Sequence, residues 1–377
     1  MSSAHGWALI RAAAGQIAVL VSLIVCVGGR LAPAQTARLR MNEHYIAGPM
    51  PGENRNEWLA AVREYRRQIR ESGSAQAETR PAAARRLDLA IYDRANLRWM
   101  TRNFACHFTF MYDRLFYDPE TGRYTVDEFL DDGVREFGGY DSIVLWQGYP
   151  RLGVDDRNQF DMYRDMPGGL KGLRQVVRQC HKRRVNVFID YNPWDTGTRR
   201  EGKPDEQALA DLVAAIEADG IFLDTMTAGS TELRRRIHQT RPGVAFVPEG
   251  HPVVEQLSIC SGSWAQWLTD PYPPGMLHLK WIEPRHMQFQ IRRWNIDHAA
   301  EIETAFFNGS GMMIWENIFG SYNPWSARDR ATWRRASAIL RRFASAFTSE
   351  QWEPFYPTLV DGLYAHRWPG DGYSLFT

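Results

Sequence analysis

The 377-residue chain is long enough for one large domain or for two ordinary domains with complete cores. Its 45 Lys and Arg residues nearly balance its 44 Asp and Glu residues, so the strong basic charge typical of proteins that bind nucleic acid or anionic membranes is excluded. The sequence contains no C-x-x-C, H-x-H or H-E-x-x-H motif. We therefore predict no metal site and no cofactor.

The first 34 residues have the pattern of a secretory signal peptide. Residues 17–27 are apolar, follow Arg11 and precede the small-residue sequence Ala32-Pro33-Ala34. This apolar run is shorter than the ~20 residues that a transmembrane helix needs. We predict a cleaved signal peptide over residues 1–34 and an exported protein, secreted or periplasmic. An uncleaved N-terminal anchor is the alternative, and membrane contact is expected only in that case.

Residues 35–99 have the composition of a linker with a helical extension. Residues 35–54 are polar and contain Gly48, Pro49, Pro51 and Gly52. Trp58–Glu71 spaces apolar residues among charges as a surface helix does. Residues 72–86 read as a second connector.

Apolar strands alternate with amphipathic helices from about residue 100 onward. The predicted strands are Phe104–Met111, Ser142–Gln147, Val185–Tyr191, Gly220–Thr225, Val244–Pro248, Trp264–Leu268, His286–Ile291 and Gly311–Trp315. The predicted helices between them are Thr125–Phe137, Leu170–Lys182, Asp205–Ala218, Ser230–Thr240, Pro252–Ile259 and Ile296–Phe307, and a longer helix follows at Arg328–Phe347.

This alternation predicts an α/β fold, a (β/α)8 TIM barrel over residues 100–350. Short continuous apolar strands such as Val187–Ile189 are typical of a parallel sheet that is covered on both faces. Eight strand–helix units match the size of a barrel. The alternative, a doubly wound open sheet, usually has a Gly-rich phosphate turn after an early strand, and the sequence has none.

Residues 355–377 read as a strand, a turn and a second strand. An isolated two-stranded hairpin is not stable by itself. We therefore expect these residues to begin a C-terminal β-sandwich domain that continues beyond residue 377.

Four predicted strands are followed directly by a carboxylate: Asp190, Asp224, Glu249 and Glu316. Buried carboxylates are costly unless they are paired or hydrogen-bonded. In a barrel the carboxyl ends of the strands carry the chemistry. These four residues therefore predict an active site at that end.

Asp224 and Glu249 follow consecutive strands and suit glycoside hydrolysis, in which one carboxyl protonates the leaving oxygen and the other attacks or activates water. Neighbouring strands lie ~4.8 Å apart, which allows the ~5–5.5 Å separation of a retaining pair. Helix capping is the structural alternative. Asp224 is too far from the helix that starts at Ser230 to cap it, whereas for Glu249 a capping or pairing role near Pro252 stays open.

Further polar and aromatic residues at the same strand ends are candidates for sugar binding. Tryptophan faces pack well on the C–H faces of sugars, and the chain has 14 tryptophans. The predicted catalytic residues are Asp224 and Glu249, and the predicted substrate-binding residues are Trp146, Asp190, Asn192, Trp194, His251, Trp315, Glu316 and Asn317.

Three short motifs resemble α-amylase-like glycoside hydrolases. The sequence Asp219-Gly-Ile-Phe-Leu-Asp224 is similar to the fourth strand that carries the nucleophile of those enzymes. Val247-Pro-Glu249 resembles the position of their acid/base, and Phe188-Ile-Asp190-Tyr-Asn192 resembles their substrate-binding third strand. The resemblance implies a retaining barrel glycosidase with Asp224 as nucleophile and Glu249 as acid/base.

The sequence also departs from the α-amylase pattern. Phe222 stands where those enzymes have an arginine, Pro193 stands where they have a histidine, and Trp315-Glu316-Asn317 replaces their late His-Asp pair. The chain is therefore not an α-amylase proper. It resembles distant barrel families that act on α-linked sugars, similar to α-galactosidases and endo-α-N-acetylgalactosaminidases, which often carry a β-sandwich after the barrel.

The predicted function is hydrolysis of glycosidic bonds in an oligosaccharide, polysaccharide or glycoconjugate. Two alternatives remain. One is a carbohydrate-binding barrel without catalysis, and the other is a barrel isomerase or lyase that uses a carboxylate base.

Overall fold

The computed structural model describes residues 39–73, 86–195, 199–266, 275–294 and 297–377. The predicted signal peptide lies outside these residues, so it stays a prediction. Within the described ranges no helix is both long and apolar enough to cross a membrane.

Eight parallel strands form one sheet. They are β1 (Ala105–Phe110), β2 (Ser142–Trp146), β3 (Asn186–Tyr191), β4 (Gly220–Leu223), β5 (Ala245–Pro248), β6 (Gly262–Gln266), β7 (Met287–Ile291) and β8 (Met312–Ile314). The spatial order along the sheet is β5-β4-β3-β2-β1-β8-β7-β6. Its two outer strands, β5 and β6, lie side by side. The sheet is therefore a nearly closed (β/α)8 barrel, as the sequence predicted.

Each predicted strand overlaps one barrel strand, with bounds that differ by at most two residues. The helices of the described chain are α1 (Arg55–Ser72), α2 (Val126–Phe137), α3 (Gln159–Arg164), α4 (Gly169–Lys182), α5 (Asp205–Ile216), α6 (Thr231–Thr240), α7 (His278–Ile282), α8 (Ala299–Phe307) and α9 (Ala327–Arg342). The predicted helix Pro252–Ile259 is only a 3-10 turn, Val254–Ser258. The short helices α3 and α7 were not predicted.

Aromatic side chains fill the interior of the barrel near its carboxyl end. Phe108 of β1 has ring-centroid distances of 5.1 Å to Phe222, 5.4 Å to Trp264 and 4.6 Å to Trp315. Lower in the barrel, a Cβ on Gly220 would lie 2.1 Å from the Phe188 ring, so only glycine fits at the start of β4. This aromatic layer forms the floor beneath the predicted catalytic carboxylates.

The N-terminal extension contains more structure than its composition indicates. Tyr45–Ala47 forms a strand that pairs antiparallel with Gly275–Leu277, although residues 35–54 read as a linker. The strand is stable because Tyr45 and Ile46 are buried. Helix α1 follows, and the Asn54 side chain caps it by accepting from the backbone N–H groups of residues 56 and 57.

The C-terminal residues form the predicted hairpin over a shorter range. Arg367–Gly370 pairs antiparallel with Tyr373–Phe376. Trp368 is fully buried and its ring stacks on Trp352 at 4.3 Å. Residues 359–366, which the sequence assigned to the first strand, are irregular. The β domain beyond this hairpin stays a prediction.

Candidate active site

Asp190, Asp224, Glu249 and Glu316 all lie at the carboxyl end of the barrel. Asp190 is the penultimate residue of β3. Asp224 and Glu249 directly follow β4 and β5, and Glu316 comes two residues after β8. The backbone N–H of Asp224 donates to the Tyr191 carbonyl at 2.9 Å, and that of Glu249 to the Leu223 carbonyl at 3.0 Å. These bonds extend the sheet by one residue and fix both carboxylates at its rim.

A cavity of about 160 Å³ opens between these strand ends. Its walls are mostly aromatic, and its polar groups are few. The lining residues are Phe108, Trp146, Tyr149, Trp194, Phe222, Asp224, Thr225, Glu249, Trp264, Arg293, Trp315 and Phe319. A cavity of this size and lining suits one ring-shaped ligand with hydroxyl groups, held between aromatic faces.

Asp224 is held by two donors on neighbouring strand ends. The Tyr149 hydroxyl donates to its Oδ2 atom, and the Asn192 side-chain amide donates to the same oxygen at 3.2 Å. Asn192 also donates to the Tyr149 hydroxyl at 3.1 Å. The carboxyl group of Asp224 is therefore oriented from β2 and β3 as well as from its own strand.

Glu249 is held by three donors from three other strand ends. The Thr225 backbone N–H donates to Oε2 at 2.8 Å, and the Gln266 amide donates to Oε1 at 2.8 Å. Arg293, which follows β7, forms an ion pair with Oε1. The bond from Gln266 crosses from β6 to β5, so Glu249 lies above the seam where the barrel closes.

The two carboxyl groups lie close enough for a hydrogen bond between them, so they share a proton. Burial, followed by the hydrogen bond with Glu249, raises the pKa of Asp224 well above its usual range. The pKa of Glu249 is lowered: burial raises it, but hydrogen bonds from Asp224 and Thr225 and the charge of Arg293 outweigh that effect. Of the two carboxyls, Asp224 is therefore the one that favours the protonated form.

Asp190 lies behind the cavity wall and does not face the cavity. One of its oxygens accepts from Gln147 at 3.0 Å and lies 3.3 Å from the Tyr149 hydroxyl oxygen, whose single proton is donated to Asp224. Burial, then the charges of Glu249 and Asp195, raises the pKa of Asp190 well above its usual range. Asp190 orients Tyr149, which in turn contacts Asp224.

The loops at the mouth hold several residues in the left-handed backbone region, which is costly for residues other than glycine. Tyr149 has a φ of 54°, Thr225 of 56°, Trp294 of 76° and Phe319 of 50°. These four positions follow β2, β4, β7 and β8. Strain of this kind concentrates at binding and catalytic sites, and here it directs Tyr149 and Phe319 into the cavity.

The three predicted tryptophans all line the cavity. Trp146 and Trp315 are buried in its wall, with ring planes at 86° and centroids 5.2 Å apart. Trp194 is 49% exposed and lies at the rim, 5.0 Å from the Tyr149 ring. The indole N–H of Trp146 is buried and has no hydrogen-bond partner among the described residues. A polar ligand in the cavity could accept that bond.

Besides Asp190 and Asn192, three more predicted substrate-binding residues do not line this cavity. His251 is turned away, with its Nδ1 atom 3.1 Å from Nδ1 of His44. Glu316 accepts from the Trp325 backbone N–H at 2.8 Å and lies 3.5 Å from Arg330. Asn317 donates to Asp113 at 2.7 Å. Glu316 and Asn317 line a neighbouring cavity with His107 and Tyr322, so both hold the rim loops together.

Several residues of the site lie outside the predicted set, among them Tyr149, Gln266, Arg293 and Phe319. Tyr149 lies in the sequence Gln147-Gly-Tyr149 after β2, and a glycine next to an aromatic residue after an apolar strand indicates such a loop. Arg293 is one of many arginines and nothing in the sequence distinguishes it. Only the closed barrel brings β6 and β7 to Glu249.

A larger surface cavity, of about 640 Å³, lies beside α1, and none of these carboxylates lines it. Arg66 and Arg70 line it, and both pair with Glu350. Its charges are largely paired with one another, and it contains none of the predicted site residues. Among the described residues, no group of three or more His, Cys, Asp or Glu side chains is arranged to hold a metal ion.

No family model matches the sequence, and no curated protein matches it significantly. Solved structures similar to the chain include a cyclomaltodextrinase (11% identity, TM-score 0.48, covering 74% of this chain and 70% of that one). They also include a maltogenic α-amylase from Thermotoga neapolitana (11%, 0.49, covering 73% and 85%). A third is an α-N-acetylgalactosaminidase from Bifidobacterium bifidum (14%, 0.47, covering 85% and 60%), so the chain spans less than two thirds of that protein.

Proposed function

We propose that the protein is a glycoside hydrolase in which Asp224 and Glu249 cleave the glycosidic bond by a retaining mechanism. The observation that carries this proposal is the contact between these two carboxyl groups in a small aromatic cavity. Inverting enzymes need ~6.5–9.5 Å between the carboxyls to admit a water, whereas retaining enzymes need only ~5–5.5 Å. Two carboxyls in hydrogen-bond contact favour the retaining arrangement.

In the proposed mechanism Asp224 attacks the anomeric carbon while Glu249 protonates the leaving oxygen. Glu249 then removes a proton from water, and that water hydrolyses the glycosyl ester of Asp224. Asp224 must be ionised for the attack, so a proton on Asp224 has to pass to Glu249 before the glycosidic bond is cleaved. The hydrogen bond between the two carboxyls provides the path.

The proposal extends to an exported enzyme that acts on α-linked sugars. Export rests on the signal-like residues 1–34, and the linkage rests on the motif resemblance of the fourth and fifth strands. The cavity volume matches a single sugar ring, which favours release of terminal residues. Assaying the purified protein against aryl α- and β-glycosides tests the activity, and activity on β-glycosides alone would contradict the linkage. Sugar binding without turnover would instead identify a binding barrel.

Glu249→Gln is expected to impair hydrolysis of substrates with poor leaving groups far more than that of activated aryl glycosides. A leaving group that is already acidic needs little protonation. Azide should partly restore turnover of the activated substrates, because it replaces the water that Glu249 would deprotonate. The product should be a glycosyl azide of retained configuration. The measurement is kcat/KM across a series of leaving-group pKa values. Equal losses for all leaving groups would contradict the acid/base role.

Tyr149→Phe is expected to lower kcat by about 10- to 100-fold, because a hydrogen bond to an ionised carboxylate contributes about 1.5–3 kcal/mol. The substitution removes the hydroxyl that donates to Asp224 and leaves the ring at its place against Trp194. Trp194→Phe keeps an aromatic ring at the rim and serves as the control, with an expected effect mainly on KM. A Tyr149→Phe enzyme with unchanged kcat would show that Asp224 does not depend on this donor.

A further inference from the structure

Arg293 follows β7 and contacts Glu249 across the seam between β6 and β5. Its guanidinium donates to Oε1 of Glu249, the same oxygen that accepts from Gln266 at 2.8 Å. The guanidinium carbon also lies 4.8 Å from the centroid of the Trp315 ring. Glu249 and an aromatic face therefore hold Arg293 in the cavity wall.

Arg293 is the only cation among the described residues that line the cavity. The other titratable groups that face Glu249 are carboxyls: Asp224 from β4, in hydrogen-bond contact, and Asp190 from β3, at longer range. Removing Arg293 would leave Asp224 and Glu249 in the cavity, with Asp190 behind its wall, and no cation among the described lining residues. The charge balance of the site therefore depends on this residue.

The ion pair with Arg293 acts against the proposed role of Glu249 as general acid. A guanidinium beside a carboxylate favours its ionised form, whereas an acid that protonates the leaving oxygen must carry the proton. The charge of Arg293 adds to the hydrogen bonds from Asp224 and Thr225 in lowering the pKa of Glu249. The contact therefore opposes protonation of the carboxyl that has to act as general acid.

We propose that Arg293 is a positioning residue that holds the Glu249 carboxylate at the cavity wall and sets the pH at which the carboxyl pair loses its shared proton. This inference rests on the proposed function. The ion pair and the Trp315 face hold the guanidinium against Glu249, and this contact opposes protonation of Glu249. Retaining hydrolysis needs the proton on Glu249, so Arg293 sets the pH range in which the pair can act.

Removal of Arg293 is expected to shift the pH profile of kcat/KM in one direction. A nearby cation stabilises the form of the pair in which both carboxyls are ionised, so it lowers the pH at which the shared proton is lost. Without the cation the pair keeps its proton to higher pH. Arg293→Met should therefore move the alkaline limb of kcat/KM upward by about one pH unit, and Arg293→Lys should leave it near the wild-type position.

The experiment compares wild type, Arg293→Met and Arg293→Lys in two measurements. The first is the pH profile of kcat/KM on an activated aryl glycoside. The second is an NMR titration of the ¹³C-labelled Glu side-chain carboxyls without substrate, with the Glu249 signal assigned through Glu249→Gln. Arg330→Met is the matched control, because it removes a guanidinium from Glu316 at the same rim and should leave the Glu249 titration unchanged.

The two measurements separate this inference from the proposed function. An upward shift of the Glu249 titration together with the alkaline limb in Arg293→Met supports the inference. An unchanged Glu249 titration in Arg293→Met overturns it. If the wild type cleaves no glycoside, the proposed function fails, whereas the titration still shows whether Arg293 sets the protonation of Glu249. Arg293→Lys keeps the test informative if Arg293→Met does not fold.

Discussion

Asp224→Asn is expected to lower kcat on a glycoside by about 10⁴-fold or more, because loss of a nucleophile removes the covalent step. The amide keeps the volume of the carboxyl and can still accept hydrogen bonds from Tyr149 and Asn192. The cavity should therefore bind sugar with nearly unchanged affinity. Single-turnover kinetics with an activated aryl glycoside, combined with calorimetric sugar binding, measure both quantities.

The sequence offers a matched control five residues earlier in the same motif. Asp219 lies at the amino end of β4, where it accepts from the Val187 backbone N–H at 2.9 Å and pairs with Arg241 at 3.1 Å. Asp219→Asn removes the same charge at the opposite end of the strand. It should lower the melting temperature and leave kcat unchanged. Near wild-type turnover of Asp224→Asn on the true substrate would contradict the assignment of Asp224.

A 2-deoxy-2-fluoro glycoside with a good leaving group would identify the nucleophile directly, since it accumulates the covalent intermediate. Peptide mapping is expected to place the label on Asp224. A label on Glu249 would mean that Glu249 is the ionised carboxyl that attacks, in the direction that its lowered pKa favours. The roles of the two carboxyls would then be exchanged, and Arg293 would stabilise the nucleophile.

The barrel could be predicted from the sequence because its strands are short apolar runs with sharp ends. The strand β4 shows why. Gly220–Leu223 is entirely buried, and the chain becomes polar at Asp224, where it leaves the sheet. The same transition from apolar to polar marked Asp224 and Glu249 as candidates. Both face the cavity, because the carboxyl ends of parallel strands converge at one rim.

The partners of these carboxylates could not be predicted, because they come from distant parts of the chain. Arg293 and Gln266 approach Glu249 only across the seam where β6 closes on β5. The same limit applies to Glu316. It follows an apolar strand like the others, but after β8 the chain folds back, so the backbone N–H of Trp325 binds its carboxylate. A polar residue at a strand end therefore indicates the rim of the barrel, but not which way its side chain points.

Buried histidines are expected to make the protein unstable in acid. Burial is the largest cause that lowers the pKa of each of six histidines, to about 2 for His251, about 3 for His286 and about 4 for His107 and His278. His44 and His366 shift in the same direction. In the unfolded chain all six take up protons below about pH 6.5. The folded state resists protonation, so its stability is present above pH 6.5 and is lost as the pH falls towards the lowered pKa values.

His251→Gln tests this expectation at the contact between His251 and His44, whose Nδ1 atoms are 3.1 Å apart. Removing one such histidine should reduce the loss of unfolding free energy between pH 6 and pH 4.5 by up to about 1.4 kcal/mol per pH unit. Buried carboxyls with raised pKa values, such as Asp190, shift stability in the opposite direction, but they are common to both proteins and cancel in the comparison.

His238 lies exposed on α6, so His238→Gln should change the slope much less. Denaturant unfolding at a series of pH values gives both slopes, and equal slopes for His251→Gln and wild type would show that this histidine is protonated in the folded protein.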